Sequence, residues 1–342
     1  MNNLSVRRVL TGMRTTGSLH LGHYVGALKL WLEAQQTGAD CYFLLADVQA
    51  LTTHSDRPEL IKESVRDVVL DWIAAGIDPF LPNVHFVLQS GVRSRFELSQ
   101  YLMMIANFGE IERNPTVKEE MRGNRNPSMG FLTYPVDQAA DIYMVSPLEL
   151  TGNELLVPVG ADQAPHLEYA RKLARRFNLA YKTNVFLPCT PSIGEIGRLV
   201  GTDGQEKMSK SKGNAIDLSD SPEEVTRKIM KMYTDPNRKR ATDPGKVESN
   251  PMFMYFDAFA PDKSEVDEYK RLYRRGGIGD VPLKRRLIEI LNETLEPMRE
   301  RRQKALRIPL RDIVKGGTSK ASYIADEVLG RVKESMFLGF PS

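Results

Sequence analysis

Arg8-Val9-Leu10-Thr11, followed by the glycine-punctuated stretch 12–18 and then by His20-Leu21-Gly22-His23, opens the chain and decides its fold class. Val9-Leu10-Thr11 reads as a short strand and 12–18 as a turn. The stretch 22–36 reads as a helix, because Val25, Leu28 and Leu32 recur at helical spacing and Gly38 follows where a helix can stop. Next comes Cys41-Tyr42-Phe43-Leu44-Leu45-Ala46, apolar throughout, as suits a parallel strand covered on both faces. Pro58 starts an amphipathic helix through Ile61, Val65, Val68, Val69, Trp72 and Ile73 that ends at Gly76, and 84–88 is a third strand. This alternation predicts an α/β fold, a Rossmann-like doubly wound parallel sheet. A further strand over 155–159 runs into Gly160-Ala161-Asp162-Gln163, with Asp162 placed to cap a helix reaching Phe177. Ligands of such sheets bind beyond the carboxyl ends of the strands, so the His20 region and the Gly160 turn are expected to share one pocket.

Composition narrows the class. At 342 residues the chain has room for a large core and a second, smaller domain. With 41% hydrophobic and 27% charged residues it has the balance of a soluble globular protein, and a net charge of +3 neither demands nor excludes a nucleic-acid partner. Two cysteines, Cys41 and Cys189, make no disulfide framework or cysteine-rich metal site, as expected in a reducing cytoplasm. Residues 1–8 lack an apolar targeting segment, and no apolar run reaches membrane-spanning length.

Beyond residue 212 the pattern is helical. Ser221-Pro222-Glu223-Glu224 is a capping box that starts a helix through Ile229 and Tyr233, and further helices are expected over 263–273, 282–306 and 320–336. Basic clusters lie at Arg238-Lys239-Arg240, Arg274-Arg275, Lys284-Arg285-Arg286 and 299–304. Acidic residues interleave with them, so each is either a solvated helix face or a contact to RNA phosphate.

Two strings carry the chemistry. His20 and His23 flank Gly22 at the start of a helix, where imidazole donors and the helix's positive end can meet phosphate oxygens while the glycine admits a nucleotide close to the backbone. Lys207-Met208-Ser209-Lys210-Ser211 sets two ammonium groups and two hydroxyls between Gly204 and Gly213, a composition for a loop that closes over a polyphosphate. Alone, each is weak. An HxGH string occurs in other nucleotidyl transferases, and a lysine-serine stretch is usually a surface turn. In this order on a chain of this size, the pair resembles the class I aminoacyl-tRNA synthetases.

Within that class the chain resembles the tryptophanyl-tRNA synthetase family over nearly its whole length. Thr11-Gly12, Thr16-Gly17 and the run from His20 through Gly26-Ala27-Leu28 are similar to its first nucleotide segment. Tyr134-Pro135 with Ala139-Ala140-Asp141-Ile142 resembles its amino-acid pocket, while Val157-Pro158-Val159-Gly160, Asp162-Gln163, His166-Leu167-Glu168 and Arg176-Phe177-Asn178 resemble its second nucleotide segment and the helix behind it. Two positions depart from the family. An aromatic residue is common where Leu10 stands, and an apolar one where Gln138 stands. Moreover Tyr134, Gln138 and Asp141 reproduce the Tyr-x-x-x-Gln-x-x-Asp spacing of tyrosyl-tRNA synthetases, and these positions share one helix face. Tryptophan is the favoured substrate and tyrosine the alternative. A catalytically silent, RNA-binding paralogue and a nucleotidyl transferase without RNA are the other readings; the intact His20, His23, Lys207 and Lys210 disfavour the first, and the helical region beyond residue 212, which would then lack a purpose, disfavours the second.

The resemblance implies ATP, with Mg²⁺ carried on it, as cosubstrate and tRNA as acceptor. It places His20 and His23 at the phosphates, with Lys207, Lys210 and Lys118 (in the segment Glu112, Arg113, Lys118) neutralising pyrophosphate. Arg14, Thr15 and Thr16 would wrap the adenosine side, with Gly160, Ala161 and Asp162 at the ribose, Leu199 beside the base, and Met208, Ser209 and Ser211 completing the lysine loop. Asp141 would accept the indole N–H, with Leu10, Tyr134, Gln138 and Gln163 around the amino acid. The expected domains are a catalytic domain over 1–212 and a helical anticodon-binding domain over 213–342, with residues 300–342 able to pair back onto the catalytic part. The long connection around 108–133 is expected to form a homodimer.

Overall fold

The computed structural model describes residues 7–122, 126–147, 152–194, 199–204, 208, 212–248 and 250–339. Among these, β1 (Arg7–Arg14), β2 (Asp40–Ala46), β3 (Val84–Leu88), β4 (Glu154–Val159) and β5 (Thr190–Ile193) form one parallel sheet in the order β3-β2-β1-β4-β5. The chain leaves β1 toward β2 on one side and joins β4 on the other, so the point where the winding reverses lies between the carboxyl ends of β1 and β4. The helical elements before β5 are α1 (Leu21–His23), a π-helical stretch Tyr24–Leu28, α2 (Lys29–Gln35), α3 (Asp47–His54), α4 (Pro58–Ala75), α5 (Ser94–Ile105), α6 (Phe108–Arg113), α7 (Pro115–Met121), α8 (Met129–Tyr143) and α9 (Ala164–Ala180). After it come α10 (Pro222–Met230), α11 (Pro251–Phe259), α12 (Lys263–Arg275), α13 (Asp280–Ala305) and α14 (Leu310–Ser335).

Strand β2 is buried along almost its whole length, as its unbroken apolar run requires. Phe43 on it stacks on Trp31 at 5.1 Å, and Trp72 meets Phe86 edge-on at 5.3 Å, contacts worth about 0.5–1.5 kcal/mol each beyond simple burial. The same apolar cluster runs from Val9 and Trp72 through Ile216, Ile229 and Phe253 to Leu291 and Ala305, so the core is continuous across residue 212.

Several local expectations change. Strand β1 extends through Gly12 to Arg14, because Gly12 lies on β2 so closely that an added Cβ would stand 2.6 Å from the Leu44 carbonyl oxygen; the turn shrinks accordingly. Asp162 does not cap α9: it lies in a 3-10 turn, Ala161–Gln163, and the helix starts with Gln163 at its N-cap and Pro165 in its first turn. The connection from 108 contains α6 and α7, where Asn114 caps α7 by accepting from the Thr116 and Val117 amides and Pro115 takes its first position. Strand β5 carries Pro191 and α11 begins with Pro251; neither was expected. An edge strand tolerates the missing donor, and the first helical turn needs none.

Helix α14 begins ten residues earlier than its apolar pattern indicates, because Gly316-Gly317 reads as a break but is a contact. A Cβ at Gly317 would stand 2.3 Å from the Phe86 carbonyl oxygen, and Thr318 accepts from the Leu88 amide at 2.9 Å, so the glycine lets α14 lie against β3. Gly317→Ala is expected to destabilise the fold by about 1–3 kcal/mol through overpacking, read as a lower denaturant midpoint; an unchanged midpoint would mean that α14 can lift off β3 freely.

Candidate active site

The His20 turn is held from three sides. The Leu19 amide donates to buried Asp71 at 2.7 Å, the Leu21 amide to the Ile216 carbonyl at 2.9 Å, and the Leu218 amide to the Leu19 carbonyl at 2.9 Å, so His20 pairs antiparallel with Asp217. Asp71 also takes Arg302 of α13 at 3.0 Å. His23 Nδ1 accepts from the His20 amide at 3.2 Å, which assigns its ring proton to Nε2, and the two imidazoles stack at 3.8 Å. Gly22 lies beside Met208, whose sulfur would stand 3.6 Å from a Cβ placed there. Met208 is buried in the same apolar cluster as Leu21 and Leu199. Met208 of the second string, far away in sequence, therefore reaches the first. Lys207, Ser209, Lys210 and Ser211 lie outside the described residues.

The Gly160 turn closes the opposite side. Gly160 stands at the end of β4 where an added Cβ would be 3.5 Å from the Gly26 carbonyl, so this turn touches the helix that follows His23. Ala161 and Asp162 are exposed, and Thr116 of α7 donates to the Asp162 carbonyl at 3.1 Å, bringing α7 with its exposed Lys118 to the same rim. At the end of β1, Thr15 is fully buried, the Thr16 amide turns back to the Arg14 carbonyl at 3.0 Å, and Arg14 reaches Glu120 of α7 at 3.4 Å. Phosphate-side and adenosine-side candidates thus ring the point where the winding reverses.

The amino-acid candidates occupy the other face of β1. Leu10 and Tyr134 share one apolar cluster with Tyr42 and Val159. Tyr134 Oη donates to Glu120 at 2.9 Å and accepts from His166 Nε2 at 3.1 Å; burial pushes His166 down to about 4, so it is neutral near pH 7, and the same burial pushes the Tyr134 hydroxyl up. Gln138 donates to Gln163 at 3.4 Å. One turn further along α8, Asp141 is buried, accepts from Gln89 Nε2 at 2.7 Å and pairs with Arg95 Nε at 2.6 Å. Burial raises its carboxyl to about 7, with Arg95 pulling down and Asp137 pushing up. Sequence reasoning missed Gln89, Arg95 and Glu120 as neighbours of the site, and named His166 only within the second nucleotide segment and the helix behind it, not beside Tyr134. Gln89 had a usable signal, since it directly follows β3 at the end of the sheet where ligands gather. Arg95, in a polar stretch Arg93-Ser94-Arg95, reads like any solvated helix start.

The basic clusters divide between structure and surface. Arg238 is buried, bonded to Asp280 at 2.9 Å and stacked on Tyr273, and Lys284 is buried as well, donating to the Met230 and Met232 carbonyls behind α10. These are internal ties of the helical region rather than contacts for a partner.

Comparison with known proteins agrees with this geometry. The sequence model of the tRNA synthetases class I (W and Y) matches residues 3–296. A tryptophan--tRNA ligase of Lactococcus lactis is 42% identical over 97% of this chain and 98% of its own length, and one of Clostridium longisporum is 44% identical over 96% of each. Among solved structures, the tryptophanyl-tRNA synthetase of Campylobacter jejuni, complexed with ADP and tryptophan, superposes with a TM-score of 0.79 at 32% identity and covers 97% of this chain and 100% of that one. A tyrosyl-tRNA synthetase of Archaeoglobus fulgidus matches less well, with a TM-score of 0.65 at 27% identity over 86% of this chain and 90% of that one. The Gln138 spacing therefore does not carry the tyrosine reading, and with its His20 turn closed against Met208 this chain belongs to the tryptophanyl-tRNA synthetase family of class I.

Proposed function

We propose that this protein is an aminoacyl-tRNA ligase that activates L-tryptophan with ATP and transfers it to the cognate tRNA. The observation that carries the reading is the convergence of the His20 turn, Met208 and the Gly160 turn between the carboxyl ends of β1 and β4. In the first step a carboxylate oxygen of tryptophan attacks the α-phosphorus, the bond to the β-phosphate oxygen breaks, and pyrophosphate leaves. A ribose hydroxyl of tRNA, the 2′-hydroxyl by class, then attacks the acyl carbon and AMP departs. No protein nucleophile is needed, so the residues align two anions and stabilise charge.

His23, with its proton on Nε2, donates to a phosphate oxygen beside His20; Lys207, Lys210 and Lys118 neutralise the leaving pyrophosphate. Arg14, Thr15 and Thr16 hold the adenosine side, Gly160, Ala161 and Asp162 the ribose, and Leu199 supports Met208 and the base. Asp141 accepts the indole N–H, with Leu10, Tyr134 and Gln163 around the ring and ammonium. Mg²⁺ enters with the nucleotide, since it suits phosphate and water ligands. The helical region within 213–342 reads the anticodon, where splayed single-stranded bases offer their edges. The connection near 108–133, with exposed Phe108 and Met129, supports a homodimer interface. Among the described residues no helix is long and apolar enough to cross a membrane, and both cysteines are free thiols, as a cytoplasmic setting would have.

Pyrophosphate exchange into ATP, run with each of the twenty amino acids, tests the reading. Exchange with tryptophan is expected; exchange with tyrosine instead, or with none, would overturn it. Gln138→Met refines it. Because Gln138 spends its amide on Gln163, its loss should raise the tryptophan KM by less than about tenfold, the size of one weak hydrogen bond, and a hundredfold rise would make Gln138 a direct ligand.

A further inference from the structure

Arg95 is a wholly buried guanidinium that none of the roles above uses. It projects from α5 between two carboxylates of α8, with Nη2 2.5 Å from Asp137 Oδ1 and Nε 2.6 Å from Asp141 Oδ1. A buried charge persists only when paired. On the other side of Asp141, Gln89 cannot turn over, because its Oε1 accepts the Val48 and Gln49 amides at 3.0 Å each and so directs its Nε2 donor at Asp141 Oδ2. Gln89 thus fixes one oxygen of Asp141 by a hydrogen bond, and the guanidinium of Arg95 stands beside the other as its ion-pair partner. A carboxylate has roughly four lone-pair sites, so acceptor capacity is left for a ligand.

We propose that Arg95 is a positioning residue that holds the Asp141 carboxylate turned to accept an N–H from the side chain of the bound amino acid, making α5 a determinant of specificity for an indole. The inference rests on the reading of Asp141 as an amino-acid ligand. The charges acting on Asp141 are Arg95 from α5 and Asp137 from its own helix; the turn after β3 and α3 present neutral Gln89 and its backbone partners, and His166 of α9 is engaged with Tyr134 and neutral. Burial holds the Asp141 carboxyl near 7, so tryptophan binding should weaken as the pH falls through that value. Removing Arg95 moves this limb up, whereas removing the Asp137 charge moves it down.

Calorimetric titration with tryptophan, ATP being left out so that its phosphates do not contribute, is the test, run between about pH 5.5 and 8.5 around the Asp141 limb. Arg95→Met should weaken binding at pH 7 by at least about tenfold and raise the limb by about one pH unit or more; Arg95→Lys, which keeps the charge, should restore most of the limb position. Asp137→Asn should lower the limb. Should Arg95→Met fail to fold, the direction of the Asp137→Asn shift decides. A loss equal at every pH in Arg95→Met, or an upward shift in Asp137→Asn, overturns the inference. Asp141→Asn separates the two levels: if it leaves tryptophan binding intact, the reading of Asp141 as a ligand is wrong, whereas weakened binding with an unmoved Arg95→Met limb removes only the role of Arg95.

Discussion

Lys210→Ala is expected to lower the rate of adenylate formation by roughly 10²- to 10³-fold while leaving the dissociation constant of tryptophan nearly unchanged. The negative charge that builds during the reaction accumulates on the oxygens between the α and β phosphates and on departing pyrophosphate. A cation aimed there stabilises the transition state more than the ground state. Lys210 itself is outside the described residues; before it Met208 sits against Gly22, and after it the chain at 216–218 pairs with the His20 turn. Met208 and Ile216 thus bring the chain on either side of Lys210 to the His20 turn. Single-turnover formation of the adenylate, measured beside equilibrium binding of tryptophan, checks the split. Equal losses in both would reassign Lys210 to ground-state binding.

Asp141→Ala should act on specificity and on the fold together. With the acceptor gone, the indole N–H is buried without a partner at a cost of about 1–3 kcal/mol, so the preference for tryptophan over phenylalanine should collapse in pyrophosphate exchange while ATP binding persists. In the folded protein the substitution also strands half of Arg95, leaving one buried guanidinium against Asp137 alone. Breaking such a pair costs about 3–5 kcal/mol, so the denaturant midpoint should fall substantially as well. Asp141→Asn, which keeps the shape and one acceptor, should be milder on stability. If Asp141→Ala retained full discrimination against phenylalanine, the indole contact would have to lie elsewhere.

Stability enters the active site through contacts of this sort. Arg302 and the Leu19 amide share Asp71, so the long helix α13 of the C-terminal region is tied through one buried carboxylate to the residue preceding His20. A change in the position of α13 therefore has a direct structural route to the His20 turn.

The sheet and the two nucleotide strings were legible in the sequence because each rests on local chemistry. An unbroken apolar run such as Cys41 to Ala46 can be covered only by helices on both faces, and Pro58 and Gly76 bracket their helix by backbone geometry alone, Gly76 adopting the left-handed conformation with φ of 117°. The same holds for His20, Gly22 and His23 and for the lysine string, whose residue types carried the resemblance to the family. What only the tertiary structure decided lies where a residue's partner is distant in sequence. Gln89 supplies the cap that α3 lacks locally, Gly317 is in α14 because Phe86 lies against it, and Arg95 is buried because two carboxylates of α8 receive it. No periodicity or propensity encodes such contacts, since the free energy that selects them comes from desolvation and pairing after the chain has closed on itself.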